Sequence, residues 1–364
     1  MLPLPTDLES VKVLRRLSTA HRALAELKGV TRIMPNEAIL VNTLALQEAK
    51  DSSAIENIIT THDDLYRSDV IAREFASLAA KEVYNYARAL REGFENVRQT
   101  GLITNNDILA MQATLEENQA GFRKLPGTAL KNDQTGEVVY TPPQHHHDIA
   151  QLMGNLERFI NEPDMSSLDP LVKMAVIHHQ FETIHPFYDG NGRTGRIINI
   201  LYLVKEGLLN TPVLYLSRYI NQNKAEYYRL LQAVRLTDAW EEWLLFVLDG
   251  VQQTAVQTTR LINAMRELMQ SHKLRIRGDL PRSYSQDLLN NIYSHLYSKI
   301  AFVQRDLGVT RVTATRHLDE LTRIGIMLKK GREGQLLCQP GPGHPAQQRP
   351  LSLRCQLKVP ARHA

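Results

Sequence analysis

One run constrains this chain more than any other: His185-Pro186-Phe187-Tyr188-Asp189-Gly190-Asn191-Gly192-Arg193-Thr194-Gly195-Arg196. It follows a helical pattern, Asp169 to Ile184, which Pro186 must stop because proline cannot continue the i→i−4 ladder. A second apolar helix pattern starts near Arg193 and continues through Ile197, Ile198, Leu201 and Val204. The loop between two helices thus holds an imidazole, a carboxylate, two glycines flanking an asparagine, and two arginines three residues apart. Glycines let backbone N–H groups turn toward an anion, and the start of the next helix adds unpaired N–H groups and a positive dipole end. Arg193 and Arg196 fall on one helix face, where both could reach a polyphosphate. Gly190-x-Gly192-x-x-Gly195 also spells the dinucleotide fingerprint, but that motif must follow a strand, and here a helix precedes it.

The chain has 364 residues, 43% hydrophobic and 23% charged, a composition suited to a soluble globular protein of two or three domains. Its formal charge of +4 is confined to one place. Residues 339–364 carry Arg349, Arg354, Lys358 and Arg362 and no acid, so the body is neutral and is not a broadly basic nucleic-acid binder. The two cysteines, Cys338 and Cys355, exclude a disulfide framework or a cysteine zinc site. Met1 to Glu9 lacks a signal-peptide pattern, and the longest strongly apolar segment, Ile197 to Val204, is too short to span a bilayer. A cytoplasmic protein with no membrane contact is the expectation.

Most of the chain reads as helix. Leu8 to Leu27 is amphipathic, with Gly29 placed to end it. Pro35-Asn36 opens a second stretch that ends at Ser52-Ser53-Ala54-Ile55-Glu56-Asn57. Val70 to Val97 predicts one long helix, and Thr104 to Asp107 has capping-box spacing before the next. Leu130 to Pro143 breaks this regime. The turn residues Asp133-Gln134-Thr135-Gly136 and the β-favouring Val138, Val139 and Tyr140 predict a short hairpin. His145-His146-His147 invites a metal reading, but adjacent helical residues point different ways and no partner cluster is evident, so a solvated helix start is preferred. Trp240, Trp243, Leu244, Val247 and Val251 form a core stripe. Tyr227 and Tyr228, after Asn223, either wall an adenine ring or divide between core and surface; spacing leaves both open.

Around Lys273 to Gln286 the chain turns basic, with Gly278, Pro281 and serines, which predicts a linker. Beyond it, a helix at Leu288, Ile292 and Leu296 precedes a helix, a turn at Gly308 and a helix from Val312 to Ile324. There Arg311, Thr313, Arg316 and His317 face outward, a helix-turn-helix pattern. Gly325 to Arg332 would begin a β-wing. DNA and protein are equally open as its partner. Residues 339–364 show little periodicity and are expected to be disordered.

The run at residues 185–196 matches the signature of the Fic family, H-x-F-x-D/E-G-N-G-R-x-x-R, at every position, and over roughly residues 1–265 the chain resembles a Fic protein. The resemblance implies a mainly all-α fold with an N-terminal helical region (1–100) and a Fic catalytic core with a hairpin flap (101–265); the residues beyond it read as a linker (266–286), a winged-helix-like domain (287–338) and a tail (339–364). It implies transfer of AMP from ATP to Ser, Thr or Tyr hydroxyls of a target protein or of the protein itself. His185 would be the base and Asp189 the Mg²⁺ ligand; ATP and its phosphates would meet Gly190, Asn191, Gly192, Arg193, Thr194, Gly195 and Arg196. Phe187 would anchor the loop in the core, and Thr194 need only pack closely. Asn223, Tyr227 and Tyr228 resemble the segment that closes the nucleotide pocket, Tyr228 more than Tyr227. Val138, Val139 and Tyr140 would form the flap that holds the target by strand addition. Ser52-x-x-x-Glu56-Asn57 resembles the inhibitory motif S/T-x-x-x-E-G/N, in which Glu56 would pair with Arg196. Removal of AMP, transfer of another phosphate-containing group, and a nucleotide-sensing DNA-binding regulator are the alternatives. The target, the DNA question and a homodimer stay open at this level.

Overall fold

Ser10 caps the first helix through its side chain, which accepts from the Val13 N–H, and α1 runs from Val11 to Arg32. The computed structural model describes residues 1–67, 75–131, 135–295, 297–330 and 335–338. Helices follow in order: α2 (Glu37–Ile55), α3 (His62–Arg67), α4 (Leu78–Thr100) and α5 (Asn105–Glu116). A hairpin of β1 (Leu130–Lys131) and β2 (Val138–Tyr140) comes next, pairing Leu130 with Tyr140 and Lys131 with Val138. Then come α6 (His146–Asn161), α7 (Pro170–Ile184), α8 (Asn191–Lys205), α9 (Leu216–Gln222), α10 (Lys224–Thr237) and α11 (Trp240–Asp279). The C-terminal part comprises α12 (Gln286–Ser294), β3 (Tyr297–Ser298), α13 (Ile300–Leu307), α14 (Arg311–Arg323), β4 (Met327–Lys330) and β5 (Gln335–Cys338). Its strands form an antiparallel sheet in the order β3-β5-β4.

The chain is thus mainly helical. The apolar helices α7 and α8 lie side by side at its centre, with Ile177, Phe181, Ile197 and Leu201 fully buried. Fixing these two helices fixes the loop that joins them. Around them α1 packs along α11, and α2 packs on α4 and α9. Trp243 sits in the core and donates its indole N–H to the Ala175 carbonyl of α7 at 3.0 Å.

Several sequence expectations need correction. α1 continues through Gly29 to Arg32, because Leu24, Leu27 and Thr31 keep the buried face going. The helix expected from Val70 begins instead at Leu78, where the Ser77 side chain accepts from the Ala80 N–H; residues 68–74 lie outside the described set. The stretch at 266–286 is helical as far as Asp279. Met269, His272 and Ile276 recur on one buried face, and this packing overrides the weak helix propensity of Gly278. The turn residues Asp133 and Gln134, Leu296, the wing residues Gly331 and Arg332, and the tail 339–364 fall outside the described residues.

Candidate active site

α7 ends at His185, which takes the left-handed conformation (φ 50°) while its N–H donates to the Phe181 carbonyl at 2.9 Å. The chain then folds back on itself. Asn191 accepts from the Phe187 N–H through Oδ1 and donates to the Phe187 carbonyl through Nδ2, both at 2.8 Å. Its side chain therefore pins the loop, and only its backbone is available to an anion. Phe187 is fully buried between Phe122 and Phe181, the anchor expected of it. Gly190 stands before α8 with φ 77°, a conformation that favours glycine. The first N–H groups of α8 have no intrahelical acceptor, so this end has the character of a cradle suited to an anion.

Arg123, which carried no signal in the sequence, is fully buried and holds this turn. It donates from Nε to the His185 carbonyl and from Nη2 to the Pro143 carbonyl, each at 2.8 Å, and its own N–H reaches the Pro186 carbonyl. Burial first, then the charges of Arg123 and Arg235, lower the pKa of His185 to about 4. Its imidazole is therefore neutral near pH 7, the state a proton acceptor requires.

The two signature arginines are nearly buried, with side chains 3% and 2% exposed for Arg193 and Arg196. Arg196 donates to the Ser52 hydroxyl at 2.7 Å, to the Ser52 carbonyl at 3.1 Å and to Glu56 Oε1 at 2.8 Å. Glu56 stands at the C-terminal cap of α2, where the helix dipole disfavours a carboxylate. Burial alone would raise its pKa further, but Arg196 prevails by charge and hydrogen bond and holds it below the ordinary carboxylate value. Asn57 has φ 62°, which gives a physical reason for Gly or Asn after the glutamate. Its Oδ1 accepts from Lys224 Nζ at 3.0 Å, tying the end of α2 to α10.

Arg193 has partners that sequence reasoning missed. Nη1 meets Glu82 of α4 and Nη2 meets Glu116 of α5, each at 2.8 Å. Nothing marked these two glutamates among the other acids of helical stretches. Asp189 projects its side chain, 79% exposed, from the loop and lies 3.8 Å from Arg193. It accepts from the Gly190 N–H at 2.7 Å.

Other expected site residues divide. Thr194 is fully buried, and Gly195 faces α7. A Cβ on Gly195 would stand 2.9 Å from Glu182 Oε1 and 3.0 Å from Phe181, so glycine there serves helix packing. Tyr227 is buried, its hydroxyl 2.9 Å from His178 Nε2 and its ring against Trp243, so it has no face free for a base. Tyr228 is 44% exposed, and its ring meets that of Tyr227 edge-on. Asn223 joins α9 to α10 and donates to the Tyr219 carbonyl. In the hairpin, Val138 and Val139 are exposed, while the Tyr140 hydroxyl donates to the Thr183 carbonyl and Arg235 covers its ring. The hairpin thus lies beside the end of α7, two residues from His185.

Three family models match the chain: Fic/DOC family N-terminal over residues 14–95, Fic/DOC family over 102–203, and the C-terminal domain of SoFic-like protein adenylyltransferases over 268–336. The Protein adenylyltransferase Fic of Drosophila erecta is 32% identical over 152 residues, 42% of this chain and 28% of that protein. The Drosophila melanogaster protein of the same name is 32% identical over 130 residues, 36% of this chain and 25% of that one. The chain therefore spans about a quarter of the length of these curated relatives. Among solved structures, a Fic family protein from Desulfovibrio desulfuricans G20 superposes with a TM-score of 0.58 at 18% identity, covering 94% of this chain and all of that one. A Fic domain-containing signaling protein from Bacteroides thetaiotaomicron gives 0.54 at 18% identity, covering 67% and 97%. At that identity the likeness establishes the fold.

Proposed function

Because the chain belongs to the Fic/DOC family, we propose that it transfers AMP from ATP to a Ser, Thr or Tyr hydroxyl of a protein, and that Glu56 holds this activity back. The observation that carries the reading is the convergence, in one loop, of the neutral imidazole of His185, the open N-terminus of α8 and two buried arginines. The attacking hydroxyl gives its proton to His185 as its oxygen bonds to the α-phosphorus. The bond from that phosphorus to the α,β-bridging oxygen breaks, and pyrophosphate leaves. The N–H groups that open α8 offset the charge on the phosphates, with Arg193 and Arg196 beside them. The hairpin would set the target's extended backbone beside His185, and the ring of Tyr228 would cover the adenine.

Asp189 suits Mg²⁺, since its carboxylate is a hard donor that projects from the loop with most of its surface open. The ion, when bound, would offset charge on the α- and β-phosphates. Glu56 restrains the chemistry by a direct contact: Arg196 cannot serve a γ-phosphate while it is bonded to Glu56 and Ser52. In this reading ATP is the nucleotide substrate, and a protein, this chain included, is the acceptor. The test supplies ATP labelled on the α- or on the γ-phosphate. Protein-bound label from the α-labelled form alone is expected; label from the γ-phosphate would contradict AMP transfer.

A further inference from the structure

The loop has a second carboxylate in a place that mirrors Glu56. A Cβ on Gly192 would collide with Glu56 Oε1, and a Cβ on Gly190 would collide with Glu116 Oε1. Each glycine of the cradle is thus covered by a carboxylate oxygen, and each carboxylate holds one signature arginine: Glu56 holds Arg196, Glu116 holds Arg193. Arg193 has more anionic partners than it needs. Glu82 and Glu116 each take one Nη at 2.8 Å, and Asp189 lies 3.8 Å away. A single positive charge therefore faces three carboxylates, an arrangement that repels a triphosphate.

We infer that Glu116 is a second internal brake: it occupies Arg193 and covers Gly190, so ATP binds fully only when Glu116 withdraws. This rests on the nucleotide reading of the site. The two glutamates that hold Arg193 are not equivalent. Only Glu116 lies against the cradle glycine, and it is the more enclosed, 13% exposed against 27% for Glu82. Burial raises its pKa against the pull of Arg193, with the charges of Asp189 and Glu82 adding to the rise, so its anion is the poorly stabilised one. Glu82 is sufficient to neutralise Arg193 once Glu116 is gone, and no buried charge is left unpaired.

The experiment measures equilibrium binding of ATP to the full chain as wild type and as Glu116→Gln, Glu82→Gln and Glu56→Gly. A conformational coupling of ordinary size makes Glu116→Gln bind at least about 5-fold tighter. Glu82→Gln, which leaves Glu116 on Arg193, gives no such gain. The gain vanishes in Glu116→Gln/Arg193→Ala, because the two side chains act through one contact. Should Glu116→Gln melt below the assay temperature, Glu116→Asp, one methylene too short to keep the contact, replaces it with the same expectation. Unchanged or weaker binding in a folded variant overturns the brake and leaves Glu116 as a support for Arg193. A gain from Glu82→Gln instead assigns the brake wrongly. If wild type and Glu56→Gly bind ATP while Glu116→Gln is no tighter, this inference fails alone; if none binds ATP, the nucleotide reading fails with it.

Discussion

His185 owes its proton-accepting state to its surroundings. An imidazole with a pKa of about 4 is neutral through the range in which an exposed histidine would be charging. Transfer by an uninhibited variant should therefore keep its rate between pH 7 and 5 and fall only as His185 protonates near pH 4; an acid limb centred near 6.5 would contradict the assignment. His185→Ala should still bind ATP but lose about 10²–10⁴ of the transfer rate, the usual cost of a positioned base. Radiolabel transfer and equilibrium binding on one preparation check both halves. These residues were legible because the chemistry of the loop requires particular side chains at fixed spacing. Glu56 and Arg196, well separated in sequence, could be paired because each lies in a recognisable motif. Glu82, Glu116 and Arg123 could not, since a glutamate in a helix or an arginine in a loop is ordinarily solvated. Tyr227 and Tyr228 show the limit of spacing, for only packing decides which of two adjacent rings is buried.

The central elements α7 and α8 approach closely at Gly195. Replacing it by alanine forces the buried Glu182 or Phe181 to shift, and should lower stability by about 1–3 kcal/mol, measured by chemical denaturation. α2 carries a second buried acid. Glu48 accepts from the Ser217 hydroxyl and, at 3.3 Å, from the Tyr86 hydroxyl, joining α2 to α9 and α4. Burial raises its pKa from 4.5 to about 8, and burial likewise raises that of Glu182 to about 7. A carboxyl that holds its proton more tightly when folded contributes stability below pH 4.5 and loses it as pH climbs to the folded pKa. The neutral histidines His178, His179 and His185, lowered by burial to about 3, 4 and 4, act oppositely, but only below about pH 6.5. Between pH 6.5 and 8 the acids act alone among these five groups, so the melting temperature should fall across that window. Glu48→Gln should flatten the fall, and an equally steep decline in that variant would remove Glu48 from the explanation. Helix existence was readable here from apolar period and capping residues, as at Ser10 and the capping box of Thr104 and Asp107. The ends were harder to read, because Gly29 and Gly278 lie inside helices whose buried faces outweigh local propensity.

At the scale of the whole molecule, the apparent linker is the most informative misreading. α11 runs on to Asp279, and α12 packs on α2, the helix that ends in Glu56. Basic residues and a glycine suggested a break, yet the buried face of the helix is set by partners far away in sequence. The C-terminal part therefore touches the helix that Glu56 caps. A chain ending at Asp279 should keep the loop but melt at lower temperature, because Leu288, Leu289 and Ile292 no longer cover their neighbours. The outer side of α14 sets the acids Asp319 and Glu320 among Arg311, Arg316 and Arg323, which interrupts what would otherwise be a phosphate-binding stripe. The proposed restraint rests on the contact between Glu56 and Arg196. The most direct measurement compares transfer from α-labelled ATP by the wild-type chain, Glu56→Gly and Glu56→Gly/Arg196→Ala. Glu56→Gly should be faster than wild type by about 5–150-fold, the span of an ordinary coupling, and the double variant should lose the gain. Equal transfer by wild type and a folded Glu56→Gly would contradict it.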